Sequence, residues 1–259
     1  MIANKQSRKV EPKRQRTRNG DARIIWERPE PPPRPTPAPL TRDRIVRTAI
    51  AIADKDGLEA VSLRNVGAAL GAGPMRLYGY LSSKTELLEL MVDALYEEMI
   101  SAGPFPTGWR EALRSIAQRT RQSALAHLWF IELLGGRPHQ GPGALAYLEA
   151  SLAALNSVPG LEDRDAVLLA SKIFNAYVIG AIRIEAAELL AERESGMDKS
   201  EWRAAMGPYL SRMIQTGKFP TLGKLFQRAT HPSVEVIFEQ GLECVIDGIL
   251  ARVGSSFRG

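Results

Sequence analysis

Ser62-Leu-Arg-Asn-Val-Gly-Ala-Ala-Leu-Gly-Ala-Gly-Pro-Met-Arg-Leu-Tyr-Gly-Tyr-Leu81 is the stretch on which the fold turns. Ser62 can N-cap a short helix running to about Leu70, because its hydroxyl can take a bond from an orphan amide of the first turn. Gly71 breaks that helix. Pro74 opens a second one reaching Leu81, its fixed φ suiting the first helical position. Two short helices that cross steeply need a small residue at the crossing, and Gly67 supplies it. The sharp turn needs a residue that tolerates a left-handed backbone, and Gly71 supplies that four positions later. Val66, Leu70, Leu77 and Leu81 then point inward, leaving Arg64, Arg76 and Lys84 outside. Such a pair is a helix-turn-helix, whose second helix is free to enter a major groove.

Helical spacing continues on both sides. Upstream, Ile45, Ala49, Ile52 and Ala53 share one face of a helix over about Arg42–Asp56, stopped by Gly57. Downstream, Ser83-Lys84-Thr85-Glu86 is a capping box that opens a helix to about Met99. Gly103, Pro104 and Pro106 separate a second half, with helices expected at about 109–127, 143–156, 161–194, 199–217 and 233–253. No period-2 strand pattern of useful length occurs, so the fold class is all-α. Three segments follow: 1–40, 41–100 and 104–259.

The first segment is a basic arm. Residues 1–40 hold ten Lys/Arg against four Asp/Glu, whereas 41–100 hold seven against nine. Seven prolines in the eleven residues 29–39 predict an extended polyproline-II spacer that holds the arm away from the folded part. Arg14, Arg16 and Arg18 suit backbone or minor-groove contact with DNA; the alternative is a solvated tail with no partner.

Other function classes are narrowed by absences. One cysteine, Cys244, excludes an internal disulfide, and three scattered histidines (His127, His139 and His231) form no H-x-x-x-H metal pair. No metal site, cofactor motif, P-loop or G-x-S-x-G nucleophile elbow is present, so no catalytic residue is assigned and an enzyme is not expected. The first thirty residues contain no apolar signal region. The longest charge-free apolar run, Ile173–Ile182, is about half a membrane span. A soluble cytoplasmic protein without a membrane partner is expected.

The wider string sharpens the reading. Arg44 through Gly57, Val61-Ser-Leu-Arg-Asn-Val66 and Leu77-Tyr-Gly-Tyr-Leu-Ser-Ser-Lys-Thr-Glu-Leu-Leu88 agree in order and spacing with one known domain. This region, about Leu40 to Met99, resembles the DNA-binding domain of the tetracycline-repressor (TetR) family. Phe238-Glu-Gln-Gly-Leu-Glu-Cys-Val-Ile-Asp-Gly-Ile-Leu250 is similar to the last helix of that family's regulatory domain.

The resemblance implies a three-helix DNA-binding domain joined to a helical ligand-binding and dimerisation domain. It implies a repressor released from a pseudo-palindromic operator by a small, largely apolar effector; the alternative is a constitutive DNA-binding regulator with no inducer. By position, Arg64 touches a base edge or a phosphate, Pro74, Met75, Arg76, Tyr78, Gly79 and Tyr80 occupy the recognition helix, and Lys84 meets a phosphate at a helix N-terminus. Ser62 is first a cap and second a phosphate contact. Gly79 departs from the family, which usually has a larger side chain there.

In the second half, Ile237, Gly241, Cys244 and Gly248 recur at i, i+4, i+7 and i+11, a stripe of mostly small residues that lets helices approach closely. Cys244 is expected to be small, apolar and buried. With the resemblance, the stripe implies a homodimer through helices 161–194 and 233–253. Trp129, Phe130, Tyr147, Phe174, Asn175 and Tyr177 are candidates for lining an effector cavity, with His127 and His139 as polar handles. Each is also a natural core residue.

Overall fold

The computed structural model describes residues 24–30, 39–226 and 232–253. Among them are eleven α-helices and no strand. Four form the N-terminal part: α1 (Arg42–Asp56), α2 (Leu63–Ala69), α3 (Pro74–Leu77) and α4 (Lys84–Ser101). Each start has a local cause. Thr41 accepts from the Arg44 amide, Ser62 from the Asn65 amide and Ser83 from the Glu86 amide. Ile45, Ala49, Val66, Leu77, Leu81 and Leu87 close beneath them into a dry core.

Seven helices follow: α5 (Trp109–Ala126), α6 (Leu128–Leu133), α7 (Pro142–Asn156), α8 (Arg164–Ser195), α9 (Lys199–Gln215), α10 (Pro220–Phe226) and α11 (Val234–Val253). Two were not expected, α6 and α10, both too short to show a period. α8 begins three residues later than its spacing suggests, because Asp163 caps it by accepting from the Ala166 amide at 2.9 Å.

α11 runs antiparallel to α5 along a ladder of charge. Arg110 meets Glu243 and Asp247, Arg114 meets Glu243, Gln118 meets Glu239, and Arg121 meets Glu235. Such half-exposed pairs contribute about 0–1 kcal/mol each, so they set register more than stability. The better-buried rung is Arg121, whose guanidinium grips both carboxylate oxygens of Glu185 on α8 at 2.6 and 2.5 Å.

α4 carries the chain from the first half into the second, and its partner there is α7. Gly143 makes the approach possible, since a Cβ would lie 2.7 Å from the Asp93 carbonyl and 2.9 Å from the Glu97 amide. Through that gap Asp93, 3% exposed, accepts from the Ala144 amide at 2.8 Å and so caps α7 from another helix. Burial pushes its carboxyl above the usual range, against the pull of the Ala144 and Gly143 amides.

One expectation needs correction. Residues 24–30 are not held away from the body. Ile25 is 3% exposed, and Arg28 pairs with Glu86 of α4 at 2.5 Å. The basic run before Ile24 and the proline run 31–38 lie outside the described residues. α8 is long and apolar enough, by length and composition alone, to cross a membrane, a test that core helices of soluble proteins also pass.

Removing the Asp93 carboxylate should leave the α7 amides unanswered. Asp93→Ala should cost about 1–3 kcal/mol in chemical denaturation, and Asp93→Asn, which keeps an acceptor, less. Protonation of a carboxyl with a raised folded-state pKa favours the folded protein. The charge penalty at Asp93 therefore grows as pH rises above the ordinary carboxylate range. The Asn variant should lack that slope.

Candidate nucleic-acid interface and effector region

The helix pair α2–α3 is built as its glycines require. A Cβ on Gly67 would sit 2.8 Å from the Ala72 carbonyl and 3.6 Å from Leu77 Cδ1, so only hydrogen fits at the crossing. Gly71 has φ +63°, in the left-handed region. α3 is shorter than expected. After Leu77 the chain tightens, with the Gly79 amide donating to Arg76 and the Tyr80 amide to Leu77 across three residues. A Cβ on Gly79 would press the Arg76 carbonyl at 3.3 Å.

The outer surface carries most of the expected residues. Arg64, Pro74, Arg76 and Gly79 are exposed, Met75 is 80% exposed and Tyr78 52%, while Leu77 between them is fully buried. Ser62 uses its oxygen as the α2 cap and so keeps its hydroxyl proton for another acceptor. Lys84 is half-buried, its ammonium 3.4 Å from the Leu58 carbonyl at the edge of the same face.

Tyr80 is a correction. Its hydroxyl donates to the Leu40 carbonyl at 2.5 Å and its ring packs on the core, so it ties the chain entering α1 to the turn after α3. That bond spans forty residues and has no local signature.

The expected cavity residues do not converge. Phe130 and Tyr147 belong to one aromatic cluster, each against Tyr96, with Phe105 against Tyr147 and His139 near Tyr96. The Tyr147 hydroxyl donates to the Ile116 carbonyl at 2.7 Å and also touches Thr120. Burial pushes the Tyr96 hydroxyl up to about 12 and Tyr147 higher still, so both stay neutral. Trp129 sits beside Phe130, but its indole N–H is committed to Asp54 at 2.7 Å. His127 meets the same Asp54 oxygen at 2.8 Å. These two therefore join the end of α1 to the α5–α6 corner. Phe174 is buried in the core, Asn175 is exposed on α8, and the Tyr177 hydroxyl donates to the Phe238 carbonyl of α11 at 2.7 Å. Tyr96 and Phe105 carry no sequence signal for this cluster, since α4 reads as a DNA-domain helix and Phe105 as a linker residue.

The α11 stripe also divides. The space above Gly241 is filled by Tyr177 of the same chain. In the single chain Cys244 is exposed, and a Cβ on Gly248 would meet nothing within 4 Å.

Comparison with known proteins agrees with this architecture. A family model described as "Tetracyclin repressor-like, C-terminal domain" matches residues 104–253. The HTH-type transcriptional repressor DrrR1 of Streptomyces coeruleorubidus is 34% identical over 227 residues, covering 87% of this chain and 83% of its own length. The chain belongs to the tetracycline-repressor family. As a member it is a DNA-binding transcription regulator and not an enzyme. An HTH-type transcriptional regulator of Saccharopolyspora erythraea is 30% identical over 241 residues, covering 92% of this chain and 96% of that one. The TetR family protein ActR of Streptomyces coelicolor, solved in complex with actinorhodin, superposes with a TM-score of 0.69 at 29% identity, covering 83% and 97%.

Gly67→Ala should force α2 from α3 and cost roughly 1–3 kcal/mol of stability, the usual range for overpacking. Gly73→Ala, whose Cβ meets nothing within 4 Å, is the matched control and should melt like the parent protein.

Proposed function

We propose that this regulator is a repressor that holds a pseudo-palindromic operator as a homodimer and releases it when a small, mostly apolar molecule binds its regulatory half. In this reading residues 41–100 are the DNA-reading head and 104–259 the effector and dimer part. A cytoplasmic location goes with the role. The observation that carries it is the outer face of α2–α3: Arg64, Met75, Arg76 and Tyr78 stand exposed on a pair of helices whose inner face is fully packed. Arg64 and Arg76 carry donors for base edges or phosphates; Pro74, Met75, Tyr78 and Gly79 form the surface that lies in the groove. Ser62 and Lys84 donate to phosphates at the α2 and α4 N-termini.

Support for the dimer lies on α8 and α11. Leu169, Ile173 and Ile184 stand exposed on α8 along a line with Gly180, where a Cβ would meet nothing. Ile237, Cys244 and Gly248 continue it on α11. A second copy would cover this row, which accounts for the length of apolar helix left bare in one chain. A groove of about 390 Å³ runs along the same face between Gly180, Val234, Phe238 and Lys199. For the effector, the packed cluster of Tyr96, Phe130 and Tyr147 would have to open to give aromatic walls to an apolar molecule with few polar groups. That ActR has been solved with actinorhodin supports a small organic effector.

Arg64→Ala and Arg76→Ala should each weaken binding to the protein's own upstream DNA. A lost base contact costs about 1–3 kcal/mol and relaxes preference at one position. Lys84→Ala should weaken all sequences alike. Unchanged affinity in both arginine variants would remove α2–α3 from the groove.

Gly248→Glu should leave the single subunit folded and shift sedimentation from dimer to monomer. A variant that stays dimeric would move the interface elsewhere.

A further inference from the structure

Residues Ile24–Glu30 precede all the described α-helices, yet they fasten to both halves of the chain. On the head side, Arg28 donates to Ser82 at 2.8 Å and to Glu86 at 2.5 Å, at the start of α4. Its carbonyl accepts from the Arg42 guanidinium at 3.0 Å, and Glu30 accepts from the Arg42 amide at 2.6 Å, at the start of α1. The Glu86 carboxyl is also exposed to some burial, which raises its pKa, but the Arg28 and Ser82 bonds outweigh that and hold it below the usual range. On the other side, the turn Ile25–Glu27 carries Trp26 to the start of α7. A Cβ on Gly141 would fall on the indole and on the Asp93 carboxylate together, so the ring occupies a notch that only glycine leaves open. Trp26 also shares a cleft with Val46 and Ile50 of α1, Leu90 of α4 and Pro142 of α7.

We propose that Ile24–Glu30 is a strap that pins the orientation of α1–α3 relative to α7. The geometry is that of two anchors joined by one short turn. Arg28 holds the end that reads outward and Trp26 holds the joint with the regulatory half. A swing of the head relative to α7 must pull one anchor from its seat, so the strap favours one arrangement over every other. Its neighbourhood makes that bias available to a bound molecule. A second cleft, of about 620 Å³, has Ile24 and Trp26 on one wall and Leu133, Pro138 and His139 on the other, and His139 is the residue that also borders Tyr96. Occupancy of that cleft and seating of the strap are then linked reciprocally.

Distance measurement between spin labels tests this directly. Labels go on Ala68→Cys in α2 and Glu149→Cys in α7, both exposed, in a Cys244→Ser background diluted with unlabelled chain. A protein lacking residues 1–23 keeps the strap and should show the same narrow distance as the full chain. Trp26→Ala, Arg28→Ala and removal of residues 1–30 should each broaden it. The two point variants act at opposite ends of the strap, so misfolding of one leaves the other to decide. An unbroadened distance in every folded variant would overturn the proposal. Affinity for the upstream DNA should fall in proportion to the fraction that loses the original distance. This last readout rests on the proposed DNA-reading role. A broadened distance with unchanged affinity would uphold the strap and count against that role.

Discussion

Asp93 reaching out of α4 to answer the orphan amides of α7 is the contact on which the two halves depend. A helix start buried inside a protein must find acceptors, and here they come from another helix rather than from the residue before it. The arrangement needs Gly143 for the approach of backbone to backbone and Gly141 for the space that Asp93 and Trp26 share. It also leaves the turn after α3 at one end of α4 and the aromatic cluster along its side. Tyr96 lies one turn from Asp93 on the same helix.

Several polar side chains around the helix pair serve internal contacts. Asp54 has its oxygen shared between His127 and Trp129, which holds the end of α1 against the α5–α6 corner. Arg42 is spent on the strap and on the Tyr80 carbonyl, and Tyr80 on Leu40. Arg64, Met75, Arg76 and Tyr78 stand on one exposed face. A polar or basic side chain near the turn is therefore not by itself a sign of DNA contact, because several serve to hold the head together.

What was legible in the sequence was local. Gly67, Gly71, Ser62, Ser83 and Pro74 each act within a few residues of their own position, and the helix pair follows from them alone. What was not legible depends on partners far along the chain. Arg28 reads as one more charge of a basic arm until Glu86, fifty-eight residues away, is beside it. Gly241 reads as part of an interface stripe until Tyr177 fills the space above it. The effector candidates are aromatic residues of the second half, yet Phe130 and Tyr147 cluster with Tyr96 of α4, while Tyr177 packs against α11. Helical period tells which face of an element is apolar, but not which of several apolar neighbours will cover it.

A footprint of the dimer on its own upstream DNA tests the paired reading of DNA most directly. Recognition helices related by a twofold axis should protect two symmetric major-groove patches, with centres roughly 34–36 Å apart or a multiple of that. Methylation of groove-facing guanines in either patch should interfere with binding. Uniform protection without a centre of symmetry, insensitive to guanine methylation, would contradict it.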